Sequence, residues 1–115
     1  MYQRLPFYMV YDIDNNIFRR DYNYMKSTYP DIAKRVMPYV EKECDRIEYS
    51  GSMMFDEYPD QLQLRMLCRK ILKSIQKGED DLEEGKWLED LVHVLTWNEI
   101  LRRRMEYREY KRKFY

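Results

Sequence analysis

Glycine and proline are scarce in this chain, three and four among 115 residues, which leaves little material for long loops and makes helix the default expectation. Two cysteines, Cys44 and Cys68, are too few for a disulfide framework and lack the paired Cys-x-x-Cys spacing of a zinc site. No apolar run approaches the roughly 18 residues needed to span a bilayer. The opening residues Met1 to Val10 are broken by Pro6 and followed by Asp12 and Asp14, unlike a signal peptide, so a cytoplasmic setting with reduced, buried thiols is expected. Net charge is missing too: 21 basic residues balance 21 acidic ones, so any attraction to nucleic acid or to a membrane has to be local. The chain has no phosphate-cradling glycine loop, no Gly-x-Gly-x-x-Gly and no Gly-x-Ser-x-Gly, and neither thiol sits in a nucleophile motif. No enzymatic activity and no cofactor are expected on these grounds.

What the chain does contain is 44% hydrophobic and 37% charged residues, a balance that suits a folded domain with a heavily charged surface. Its length fits one domain, residues 1–115, with a single core. Twelve Tyr and eight Met stand out. Tyr buries a ring while keeping its hydroxyl wet, and Met fills irregular gaps, so both suit a small core that borders a partner surface. Simple covering of a small core by amphipathic residues is the favoured explanation of the two.

The expected fold is all-α: a small bundle of three main helices, with a short N-terminal helix and an extended N-terminal arm over residues 1–16. The short helix is placed at about Ile17–Met25, capped by Asp14, Asn15 or Asn16. The next is capped by Ser27 or Thr28 and opened by Pro30 and Asp31; Ile32, Val36, Val40, Cys44 and Ile47 form its buried face. Pro38 removes a backbone donor inside it and predicts a kink or a division there, and Gly51 suits its stop. Met53, Met54 and Phe55 fit one helical turn. Pro59 opens a further helix that buries Leu64, Leu67, Cys68, Ile71, Leu72 and Ile75 and ends at Gly78. Tyr-Pro-Asp occurs at both helix openings, Tyr29–Asp31 and Tyr58–Asp60, but the buried faces that follow do not align, so it is no repeat. After an acidic connection the longest helix, Lys86–Arg112, is expected to serve as the central wall, with Trp87, Leu88, Leu91, Val92, Val94, Leu95, Leu101 and Met105 over a face broad enough for two neighbours.

Charge layout carries the functional expectation. Residues 102–115 form a basic, aromatic end in which seven basic residues face only Glu106 and Glu109. Helical spacing pairs Arg102 with Glu106 and Glu109 with Lys113, leaving Arg104, Arg108 and Lys111, with Arg112 alongside, as a strip without a local acid. On an earlier helix Glu41, Asp45 and Glu48 line up like charges that call for a positive answer, which the strip can give within one chain or between two. The reading that follows is a non-enzymatic helical interaction or structural protein working through protein–protein contacts, including self-association. A second reading uses Arg104, Arg108, Lys111 and Arg112, with Tyr107 and Tyr110, to bind nucleic acid. A third places His93, with Asp90 or Glu89 one turn away and Glu41, Asp45 and Glu48 facing it, in a carboxylate–His metal site; the dinuclear pattern of two Glu-x-x-His copies is absent, and no metal ligand is assigned.

The runs Tyr29–Lys34, Pro38–Glu41, Glu43–Arg46, Glu48–Tyr49, Gly51–Met54 and Asp56–Asp60, with the arginine- and aromatic-rich end from Ile100, resemble a family of short uncharacterised proteins from anaerobic Gram-positive bacteria. The likeness covers most of the chain after Tyr22. It implies a bacterial cytoplasmic origin and no transferable activity.

Overall fold

A long helix begins where the sequence led us to expect an extended arm. In the computed structural model, which describes residues 7–49, 51–82 and 85–114, α1 runs Phe7–Ser27 without interruption. The arm and the short Ile17–Met25 helix are therefore corrected to one helix of 21 residues, while residues 1–6 of the expected arm lie outside the described ones. The physical reason is visible in retrospect: no glycine or proline lies between Phe7 and Ser27, and Phe7, Val10, Ile17, Phe18, Tyr22 and Met25 keep helical spacing once Asp14 is accepted as a gap. Ser27 and Thr28 do not cap the following helix. Their hydroxyls donate back to the Tyr24 and Met25 carbonyls at 2.5 and 2.7 Å, satisfying the end of α1.

The described residues otherwise form α2 (Asp31–Ile47), a single 3-10 turn (Met53–Phe55), α3 (Gln61–Gly78) and α4 (Lys86–Phe114), with no strand among them. The chain divides into two compact units, Met1–Lys34 and Arg35–Tyr115. In the first, Phe18 and Tyr22 stack at 6.2 Å and the Lys26 ammonium sits 5.0 Å above the Tyr22 ring.

α2, whose first turn belongs to the first unit and the rest to the second, stays whole through Pro38. A helix tolerates an interior proline when the carbonyl four residues earlier can turn to water, and both Pro38 and Lys34 are exposed. Gly51, at φ +85°, takes the left-handed conformation that reverses the chain after α2. Ser52 then accepts a hydrogen bond from the Met54 amide at 3.2 Å, which fixes the 3-10 turn and drives Met54 into the core. The residue that opens α3 is Asp60 and not Pro59, its carboxylate accepting from the Leu62 amide at 2.9 Å.

Val36, Val40 and Cys44 of α2, Met54, and all six expected apolar residues of α3 are buried together with Leu88, Val92, Leu95 and Ile100 of α4. Each large side chain so buried contributes about 1.5–3 kcal/mol. Leu82 anchors the connection after α3, and Arg35 clasps the same connection through Asp81 at 2.5 Å and Glu79 at 3.3 Å. At Gly78, where α3 passes α2, an added methyl group would push the Tyr39 hydroxyl and ring aside.

The broad apolar wall expected of α4 is corrected. Leu88, Val92 and Leu95 face inward, but Trp87, Val94, Leu101 and Met105 are 49%, 57%, 54% and 44% exposed. Residues that read as one wide stripe fall on two sides of the helix. The inward side is completed by polar groups: Thr96 and Glu99 are fully buried, and Arg103 is 6% exposed.

Candidate functional site

α4 has two unlike sides, one turned to α2 and the core and one to solvent. On the inward side, steps of three and four from Leu88 through Val92, Thr96 and Glu99 bring Arg103 against α2. Its Nε lies 3.2 Å from Glu99 Oε2 one turn earlier, its Nη1 2.7 Å from Asp45 Oδ1 and 3.6 Å from Glu48 Oε2, and its Nη2 donates to the Glu41 carbonyl at 3.4 Å. Burial pulls the guanidinium toward neutrality, but Asp45 and Glu99 outweigh it and its pKa ends raised, so the charge is kept. Arg102 supports the same carboxylate from the other side, 2.7 Å from Glu99 Oε2, while reaching Glu106 at 3.0 Å.

Two carboxylates of the acidic row, Asp45 and Glu48, are thus answered inside one chain by Arg103, which meets Glu41 through its backbone carbonyl alone. The residues expected to meet it do other things. Arg104 donates at 3.4 Å to the Met54 and Glu57 carbonyls, closing the end of the 3-10 turn. The Lys111 ammonium lies 5.1 Å above the Tyr107 ring, which itself stacks on Phe55 at 4.1 Å. Arg112 pairs with Glu109 at 3.2 Å, the partner assigned from spacing to Lys113, whose side chain lies outside the described residues. Arg108 is exposed beside a hollow of about 430 Å³ lined by Pro59, Leu64, Trp97, Asn98, Ile100, Leu101 and Arg104.

His93 is exposed, its ring 4.1 Å from that of Trp97, and Asp90 pairs with Lys86 at 3.3 Å. Among the described residues no three His, Cys, Asp or Glu side chains gather as a metal site would require. Both thiols are buried in the core; burial pushes Cys44 up to about 12 and raises Cys68 as well, which holds them in the neutral, weakly nucleophilic form.

On its outward side α4 carries Trp87, Leu91, Val94, Asn98, Leu101, Met105, Arg108 and Arg112 at alternating steps of four and three. This is the heptad spacing by which one helix presents a straight seam to another. Leu91 is half-buried and the remaining seven are exposed. Neither the seam nor the Glu99–Arg103 pair was assigned from sequence, although a regular four-three spacing and an acid four residues before a base signal both.

Comparison of the chain with protein-family models, with curated proteins and with solved structures gives no match. The functional reading therefore rests on geometry. No helix among the described residues is long and apolar enough to cross a membrane.

Proposed function

We propose that this is a cytoplasmic, non-enzymatic helical interaction protein whose working surface is the outward side of α4. The observation that carries this is the row Trp87, Leu91, Val94, Leu101 and Met105, four exposed apolar side chains and the half-buried Leu91, broken once by Asn98, along a helix whose other side already serves the core. Exposed large apolar side chains aligned along one side of a helix are a feature of surfaces that meet another protein. The basic groups frame that row: Arg104 and Arg108 border the hollow beside it, and Arg112 extends it. Asp45 and Glu48 act within the chain by holding Arg103, with the Glu41 carbonyl beside them, which fixes α4 in place.

A photo-crosslinking residue at Val94, compared with one at the exposed Lys70 of α3, tests the reading in cells that make the protein. A protein adduct from Val94 and none from Lys70 is expected; no adduct from Val94 removes the proposal. The nucleic-acid reading draws on exposed Arg108, Lys111 and Arg112 with exposed Tyr110, and it requires salt-sensitive retardation of a labelled RNA or DNA.

A further inference from the structure

We infer that the partner of the α4 seam is a second copy of this chain, docked antiparallel in one register. The inference rests on the interaction reading above and adds the identity and geometry of the partner. In an antiparallel helix pair the two seam positions alternate across the interface, so each layer joins unlike positions of the two copies. When the two seams are laid antiparallel so that all eight positions find a partner, Trp87 meets Arg112 of the other copy, Leu91 meets Arg108, Val94 meets Met105 and Asn98 meets Leu101. Twofold symmetry repeats each layer.

Charge selects this arrangement. The row is neutral and aromatic at its start and ends in Arg108 and Arg112. A parallel pair sets Arg108 on Arg108 and Arg112 on Arg112, like charges in the seam itself. The antiparallel pair removes that clash: the Arg112 guanidinium, which also pairs with Glu109 at 3.2 Å, lies over the exposed indole of Trp87, and the stem of Arg108 covers Leu91. The flank turned away from the core agrees. Asp90, on the rim of the first half, comes opposite Lys111, and Trp97 comes opposite Arg104, so the rim adds one acid–base pair and one further cation–ring contact, each made twice. Asn98 supplies the register. A polar amide at a seam position, with Leu101 across from it and the Asn98 of the other copy one turn away, disfavours shifted pairings that would bury it among apolar groups alone.

Cysteine cross-linking tests the pair in the full-length protein, since Cys44 and Cys68 are buried and Val94 and Met105 are exposed. The V94C and M105C proteins are prepared separately, checked for native helicity by circular dichroism, and oxidised alone and mixed. A disulfide-linked dimer is expected in the mixture and in neither protein alone, because the two copies of residue 94 sit about 16 Å apart along an antiparallel pair. A dimer formed by either protein alone indicates parallel pairing and overturns the inference. So does a wild-type protein that light scattering finds monomeric at tens of micromolar, or dimeric without any cross-link. L101E, which places two charges in the central layers, is expected to weaken association at least about a hundredfold; undiminished association also overturns it. An adduct from the photo-probe at Val94 with the mass of a different protein would refute the self-pairing while leaving the interaction reading intact.

Discussion

Glu99 and Arg103 occupy places where leucine would pack, and their energetics are those of a buried pair: removing one partner costs far more than removing both. Arg103→Met is expected to destabilise by about 3–5 kcal/mol in urea denaturation, because it strips a guanidinium partner from the fully buried Glu99 and frees the like charges of Asp45 and Glu48. The double variant Glu99→Leu/Arg103→Met should recover most of that loss, and strict additivity of the two single effects would show that they do not act as a pair. Sequence reading missed Arg103 because charged residues are assigned to water by default, and the arginines on either side of it, Arg102 and Arg104, made it look like one more surface arginine. The thiols were legible. Cys44 and Cys68 were expected to be buried and free, as they are. With Cys44 pushed up to about 12, the neutral thiol's contribution to stability is complete below the ordinary thiol value of 9 and is lost as the pH climbs from there toward 12. Neither thiol should react with an alkylating reagent at neutral pH until the protein is unfolded, which mass spectrometry of native and denatured samples can check.

At the scale of the element, period served where one face is apolar and failed where two are. α3 has one apolar face between a carboxylate cap and a glycine, and its six buried residues were readable without exception. α4 has two, and a broad-face description merged a core stripe with an exposed seam; only the alternation of four and three separates them. α1 was shortened because Asp14 interrupts its spacing. Pro38 is the local rule that α2 breaks. Pro38→Ala restores a backbone donor at an exposed position, so a gain of about 1–2 kcal/mol and a higher melting temperature are expected, less than the full helix penalty because the freer unfolded chain offsets part of it. Gly78→Ala should go the other way by about 1 kcal/mol, since the new methyl displaces the Tyr39 hydroxyl. In a Tyr39→Phe background the loss should shrink, because the hydroxyl is gone while ring carbons at 3.0 and 3.2 Å still crowd the methyl. Equal losses in both backgrounds would remove this account of the contact.

For the molecule as a whole, the composition expressed itself in the arrangement of charge more than in its total. Arg35 holds Asp81 below the usual carboxylate range through their hydrogen bond, so the stability this clasp contributes is present above pH 3.8 and disappears as pH falls through the depressed value. Arg35→Met should move the acid unfolding midpoint to higher pH by a small amount, in keeping with an exposed pair. If α4 pairs with a second copy, the melting temperature should fall on dilution in the wild type and be independent of concentration in L101E. The inward layer has a mechanical consequence. Sliding α4 along α2 by one turn, about 5.4 Å, would pull Arg103 out of reach of Asp45 and Glu48 while apolar contacts on either side could re-form with new neighbours. The ion pairs therefore act as a catch against shear: load transmitted along α4 meets a short-range, brittle resistance at one layer, and the helix should yield to traction in a single abrupt step and not by gradual creep.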